Sequence, residues 1–378
     1  MFFTWSSRTR VLFGAGTIAH LGGAARELGM RHVLLVADPG IREAGYADRA
    51  SALLRGACVR VTLFTDFDAN PDGDMVDTGA RAARRAGVDG IVAVGGGSSL
   101  DCAKGINFVL TGGGTIADYR GYGKARGPML PMIGVPTTAG TGSDAQSYAV
   151  LSDARTHVKM ACGDPGAAFR IAILDPDLTR TQPRAVTAAA GYDALSHAVE
   201  AWVTVRRTPL SQMFAREAWR LVNGHLERVL ACPGDGEARS AMLLGAHLAG
   251  LAIEHSMLGA AHACANPLTA RYGTTHGVAV SLMLPQVVRW NAAAVGNVYA
   301  ELIATGDQPP ANPGERLATR LESIARTCGF PATLREAGVD PDALPSLAEE
   351  AAAQWTGTFN PRPLTREAAL ELYRLSYA

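Results

Sequence analysis

The apolar residues of this chain keep two different rhythms. In the first half they form short unbroken runs, over residues 32–37, 59–64, 90–94 and 132–135. Runs of that length predict strands buried on both faces. Ala- and Arg-rich stretches such as 76–86 lie between them and predict helices. Strands alternating with helices predict an α/β domain whose parallel sheet is covered on both sides. After about Leu178 the rhythm changes. Residues 187–205, 210–230, 237–254 and 285–291 read as helices, and no convincing strand follows. The expected architecture is an α/β domain over residues 1–180 and an all-α domain over 181–378, with Pro176 and Pro183 marking the join. A length of 378 residues agrees, since one core rarely organises so many.

Charge and cysteine usage narrow the class. With 35 basic and 35 acidic residues the formal net charge is zero, so nothing draws the chain to nucleic acid or to an anionic membrane. Cys58, Cys102, Cys162, Cys232, Cys264 and Cys328 are scattered without a Cys-x-x-Cys pair, which predicts a reducing, cytoplasmic setting. The apolar start Met1-Phe-Phe-Thr-Trp is broken by Arg8 and Arg10 and does not read as a signal peptide. The apolar stretch 245–265 carries His247, Glu254, His255 and His262, which predicts a buried helix pair rather than a membrane span.

Glycine-rich turns supply the first candidate chemistry. Gly95-Gly-Gly-Ser-Ser-Leu-Asp-Cys-Ala-Lys104 follows a buried strand and opens a helix. Consecutive glycines let backbone approach a pyrophosphate, N–H groups at the helix start point at it, and Ser98 and Ser99 add hydroxyls. Gly14-Ala-Gly-Thr-Ile-Ala19 matches a looser pattern, but Arg10-Val-Leu-Phe13 before it is a poor strand, and a simple turn explains these glycines as well. Asp38 stands just past the end of a strand, where a carboxylate can accept from a ribose 2′-hydroxyl and repel a 2′-phosphate, favouring NAD over NADP. An ordinary Asp-Pro turn is the other reading. Pro136-Thr-Thr-Ala-Gly-Thr-Gly-Ser-Asp144, a third turn, suits a sugar or phosphate contact or a plain loop.

The second candidate chemistry lies in the helical half. Asp193 and His197 are four apart, on one face of a helix. His262 and His276 bracket a later stretch. Three imidazoles and one carboxylate suit a divalent ion such as Fe²⁺ or Zn²⁺. Each residue has an ordinary explanation too: His197 and His262 as packed core residues, Asp193 as a local hydrogen-bonding group, His276 as a turn residue before Gly277. Their combination beside a nucleotide domain points to metal. His20, His32, His157, His225 and His247 are read as ordinary histidines. His255, two turns before His262, is read as a pocket residue that does not touch metal.

Taken in order, these motifs resemble the iron-containing (group III) alcohol dehydrogenases. The resemblance rests on the Gly95 and Pro136 turns, Asp193-x-x-x-His197, His262, Thr275-His-Gly277, Ile173-Leu-Asp-Pro176 and Asn360-Pro-Arg362, and covers essentially the whole chain. It implies a fold shared with dehydroquinate synthase, with a dinucleotide-binding α/β domain, a helical metal-binding domain and a cleft between them. It also implies NAD(P)-dependent interconversion of a small-molecule alcohol with an aldehyde or ketone, often in a homodimer. On that footing Asp193, His197, His262 and His276 are ligands of Fe²⁺, with Zn²⁺ the alternative. Gly95, Gly96, Gly97, Ser98 and Asp101 take the pyrophosphate side of the cofactor, and Asp38 the adenosine ribose. Thr137, Thr138 and Lys159 lie along the cofactor, and Leu178 near the adenine. Tyr148, Ile253, His255, Leu258 and Asn266 are the expected substrate-pocket residues.

Two departures from the family pattern stand out. Asn266 occupies a position where many members carry a histidine, and Asn cannot shuttle a proton near neutral pH. Asp144 replaces a usual Glu. Rival readings are a reductase of oxo-acids or phosphonate-type aldehydes, a metal-dependent lyase of the dehydroquinate synthase type, and a non-catalytic nucleotide- or metal-binding protein. The lyase would need a basic cluster for a phosphorylated, carboxylated substrate, and 193–201 has none.

Overall fold

The structure is a computed structural model that describes residues 5–154, 159–304 and 311–378; His157 lies outside the described residues. The chain divides into two compact units, Met1–Gln182 and Pro183–Ala378.

The first unit contains strands β1 (Arg10–Phe13), β2 (His32–Val36), β3 (Arg60–Phe64), β4 (Gly90–Gly95), β5 (Gly121–Tyr122), β6 (Met132–Pro136), β7 (Tyr148–Ser152), β8 (Lys159–Gly163) and β9 (Ile171–Leu174). Its helices are α1 (Leu21–Glu27), α2 (Pro39–Glu43), α3 (Tyr46–Gly56), α4 (Gly73–Ala86) and α5 (Gly97–Gly112). Six strands form one parallel sheet in the order β1-β9-β6-β4-β2-β3. Alternate residues of the unbroken apolar runs enter two separate cores. Leu34, Val36, Ile91 and Ala93 pack on one face, and Val33, Leu35, Val92 and Val94 on the other. That is why these strands show no polar alternation.

Two features of this unit differ from the sequence expectation. Arg10–Phe13, a poor strand by composition, is strand β1, because β9 pairs with it along its whole length from Arg10↔Ile171 to Phe13↔Leu174. A second sheet, β5-β8-β7, contains an antiparallel pair, Tyr148↔Gly163 to Ser152↔Lys159. These short, half-buried strands carry little apolar signal, and pairing rather than composition defines them.

The second unit is built of helices α6 (Arg184–Val203), α7 (Pro209–Ala231), α8 (Gly236–Glu254), α9 (Ala260–Tyr272), α10 (His276–Val295), α11 (Ala300–Ile303), α12 (Pro313–Cys328), α13 (Leu344–Ala352) and α14 (Arg366–Tyr377), with no strand among the described residues. Helix α6 is buried on nearly every side and packs against α7, α8 and α10. Its alanines make that close approach feasible. Gly277 shows how close it is: a Cβ there would lie 2.0 Å from the carbonyl oxygen of Ala189. Pro285, expected at a helix start, lies inside α10, which packs against α6, α9 and α12 and so continues through it. The stretch 245–265 spans the end of α8 and the start of α9.

Candidate dinucleotide and metal sites

In the first unit the chain leaves β2 toward β3 on one side and returns as β4 on the other, so the sheet order reverses between β2 and β4. Ligands of open α/β sheets bind outside the carboxyl ends of strands at such a point. Asp38 follows β2 and Gly95–Gly97 follow β4. Gly95 pairs with Pro136 at the end of β6, and Thr137 N–H donates to the Gly95 carbonyl at 2.9 Å. The loop after β6 closes down on the glycines. A Cβ on Gly96 would meet Thr138 at 3.0 Å, and one on Gly97 would meet Thr141 at 2.7 Å. Gly95 has φ 150°, a conformation that L side chains rarely adopt. No side chain caps the start of α5, which leaves a helix N-terminus open to an anion.

The other glycine turn is different. Gly16 N–H donates to Asp175 Oδ1 at 3.0 Å and Ile18 N–H to Asp175 Oδ2 at 3.1 Å. A carboxylate of the chain itself fills the place an anion would take.

Several residues expected along the cofactor are engaged within the protein. Asp38 accepts the Ile41 N–H at 3.0 Å, capping α2, and the Ser99 hydroxyl at 2.9 Å. Ser98 Oγ donates to the Ala69 carbonyl, so both serine hydroxyls have intramolecular partners. Asp101 accepts from Ser143 Oγ at 2.5 Å and lies 3.7 Å from the buried Lys104 ammonium; burial raises its carboxyl pKa despite that cation. Lys104 in turn donates to the carbonyls of Ser143 and Tyr148, holding the loop between them. Lys159 donates to Asn70 Oδ1 at 3.0 Å, and burial lowers its pKa. Leu178 is fully buried, so its contacts here are with the core. Tyr148 is half-buried in β7, its ring 5.5 Å from that of Tyr122.

In the second unit, α6 contributes Asp193 and His197, α9 contributes His262 in its first turn, and α10 begins at His276. Asp193 Oδ1 is the common focus. The Nε2 atoms of His197 and His262 lie 3.5 Å from it and that of His276 lies 3.7 Å away. Asp193, His262 and His276 each present one ligand-type atom, all within 4.8 Å of one another. The rings of His197 and His262 stack at 5.0 Å. Asp193 Oδ1 and His262 Nε2 are buried without a hydrogen-bond partner among the described residues. Such atoms cost free energy unless something bonds to them, and their donor types fit a divalent ion.

Electrostatics ready Asp193 and His197 for an ion, whereas at His262 an ion has to displace a proton. Burial opposes the charge on Asp193, but the three imidazoles outweigh it and hold the carboxyl well below its usual range. Burial keeps His197 below the ordinary imidazole range, hence neutral, as a ligand must be. Burial also disfavours charge on His262, yet the Glu200 and Asp193 carboxylates push it up to about 9. The side chains of Asp193, His197 and His262 are at most 8% exposed, whereas that of His276 is 37% exposed.

Sequence reasoning missed Glu200. Its Oε2 lies 2.5 Å from His262 Nδ1, and its Oε1 accepts the Ala261 N–H at 2.7 Å. The available signal was its spacing, three residues after His197 and seven after Asp193, on the same helix face. Of the expected pocket residues, Ile253 is buried, Leu258 is half-buried, and His255 lies 6.3 Å from the Phe214 ring. Asn266 donates to Gln354 Oε1 at 3.1 Å. His32 and His225 bond to Thr62 and to the Leu221 carbonyl, as ordinary histidines do.

Known proteins match both units. Residues 8–176 match the family model described as iron-containing alcohol dehydrogenase, and residues 187–377 match that of the Fe-containing alcohol dehydrogenase C-terminal domain. The chain is 33% identical over 359 residues to the NAD-dependent methanol dehydrogenase of Bacillus methanolicus, covering 94% of each. Among solved structures it is similar to a 1,3-propanediol oxidoreductase, with TM-score 0.96, 32% identity and full coverage of both chains. It is also similar to a sulfoacetaldehyde reductase from Bifidobacterium kashiwanohense in complex with NAD⁺, with TM-score 0.90, 28% identity, and 100% and 99% coverage. With both units matched, the chain belongs to the iron-containing alcohol dehydrogenase family and is an oxidoreductase that transfers hydride between a nicotinamide cofactor and an alcohol–aldehyde or alcohol–ketone pair.

Proposed function

We propose that Asp193, His197, His262 and His276 hold one divalent ion, Fe²⁺ in the first instance and Zn²⁺ as the alternative, and that the enzyme prefers NAD(H) to NADP(H). The observation that carries the metal reading is the convergence of three imidazole Nε2 atoms on the buried, unpartnered Asp193 Oδ1. When bound, the ion supplies Lewis-acid polarisation of the substrate oxygen, and the nicotinamide gives or takes the hydride. The chain's own residues do the rest. Neutral His197 and ionised Asp193 offer electron pairs without first losing a proton. Gly95, Gly96 and Gly97 leave room for pyrophosphate at the open start of α5, and Asp38 stands at the strand end where a ribose hydroxyl can donate to it. Asn266 can hold or donate hydrogen bonds but has no proton to release near neutral pH.

The substrate is a small alcohol or aldehyde. An anionic aldehyde is the second reading, favoured by similarity to the sulfoacetaldehyde reductase. We also propose a cytoplasmic setting without nucleic-acid or membrane partners, in keeping with the zero net charge and the free cysteines, and a homodimer, which the family resemblance implies.

The test is metal analysis of protein purified without chelator, then turnover of neutral and anionic aldehydes with NADH and NADPH. One Fe²⁺ or Zn²⁺ per chain and faster turnover with NADH are expected. His262→Ala and His276→Ala should lose the metal and most turnover yet still bind NAD. Full activity in either variant with an empty metal site would end the metal reading.

A further inference from the structure

Glu200 is a buried carboxylate. It lies on α6, on the face that also carries Asp193 and His197. One oxygen accepts the Ala261 N–H at 2.7 Å and the other lies 2.5 Å from His262 Nδ1. The adjoining Ala260 N–H donates to Asn360 Oδ1 at 3.2 Å, and Asn360 exchanges paired hydrogen bonds with Asn291 at 3.0 and 2.8 Å. The first turn of α9, which begins after an uncapped Gly259, is therefore tied to α6 and α10 through Glu200 and the two asparagines. Glu200 and Asn360 close tightly on Gly259, where a Cβ would lie 3.0 Å from both Glu200 Oε1 and Asn360 Oδ1.

A helix cap needs only one acceptor, and Glu200 presents two, the second to an imidazole. A carboxylate is an acceptor on both oxygens, so His262 Nδ1 must carry a hydrogen. Nε2, which has no hydrogen-bond partner among the described residues, is then the atom directed at Asp193, and its lone pair serves a metal once the proton there is displaced. We propose that Glu200 is a positioning residue that fixes His262 as the Nδ1–H tautomer, with Nε2 toward the metal, while anchoring the start of the helix that bears it. This rests on the metal reading of the site.

Glu200→Gln separates the two roles with almost no change of shape. With the amide oxygen kept on Ala261 N–H, the amide NH₂ faces His262 Nδ1 and demands the opposite tautomer, whose Nε2 is protonated and cannot ligate. With the amide reversed, NH₂ faces the Ala261 N–H, donor against donor. Metal binding must therefore work against one misfit or the other. Outer-shell partners of this kind typically contribute about 10–100-fold in metal affinity.

The experiment uses the full chain. Co²⁺ affinity is measured by chelator competition and by the ion's visible spectrum in wild type, Glu200→Gln and His262→Ala, with circular dichroism and NAD binding as controls for folding. Co²⁺ binding by the wild type, loss in His262→Ala and weakening by about 10–100-fold in folded Glu200→Gln is the expected result. Equal affinity in wild type and Glu200→Gln overturns the proposal and leaves the metal reading intact. Absence of Co²⁺ binding by the wild type, or unchanged binding in His262→Ala, overturns both. A measurement on the wild type alone covers a Glu200→Gln protein that does not fold. In the Zn²⁺-loaded enzyme, ¹⁵N chemical shifts should show His262 protonated at Nδ1 and metal-bound at Nε2, and the reverse assignment overturns the proposal.

Discussion

Asp38 and Asn266 show how far single residues can be read. Asp38 caps α2 through Ile41 N–H and receives the Ser99 hydroxyl, both at the reversal point of the sheet. The turn reading and the ribose reading therefore coexist, because a carboxylate has acceptor sites left after two hydrogen bonds. Asp38→Gly removes the charge while sacrificing only a few tenths of a kcal/mol of capping. It should weaken use of NADH by up to about 1.5–3 kcal/mol, roughly 10–100-fold, and improve use of NADPH. Comparing kcat/KM for the two cofactors checks this, and a wild type that already prefers NADPH would show that Asp38 does not meet the ribose. Asn266 is bonded to Gln354 and has no titrating group. Alcohol oxidation, which releases a proton, should then be favoured by alkaline buffer. Asn266→His should add a titration near about 6.5 to the pH profile of kcat/KM. Identical profiles would make Asn266 a polar packing residue only.

At the scale of elements, the site is three helix segments brought together by small residues. The register of Asp193, His197 and Glu200 along α6 follows from helical spacing alone. Their partners lie on α9 and α10, and what sets the separation of α6 and α10 is Gly277 against the backbone of Ala189. Gly277→Ala must move backbone, not merely a flexible side chain. His276 precedes it directly, and Ala189 lies one turn before Asp193. The variant should lose about 1–3 kcal/mol of stability, as overpacked cores do, and bind divalent ions more weakly. Urea unfolding and Co²⁺ titration read the two effects. Wild-type values in both would show that α10 shifts without disturbing His276. Glu200 was hidden from sequence reading for a related reason: its two acceptors meet α9, and no local pattern says that they do.

At the scale of the whole molecule, one unit carries the dinucleotide candidates and the other the metal candidates, so ligand stabilisation should separate by ligand. Divalent ion at 100 times its Kd adds about 2.7 kcal/mol, a rise of about 5–10 °C in the melting of a unit this size. His262→Ala should abolish that increment while keeping the one produced by NAD, as thermal melts with each ligand would show; a metal increment that survives would place the ion elsewhere. The sequence by itself determined the class of each half. Strands buried on two faces leave short unbroken apolar runs and helices leave longer apolar stretches, and glycines, prolines and histidines mark the turns and ligand types without reference to distant residues. Only the tertiary structure decided which glycine turn stays open, because Asp175 closes the first from 157 residues or more away. It also decided that Arg10–Phe13 is a strand and that Glu200 stands behind His262, since each depends on a partner far along the chain that local periodicity does not encode.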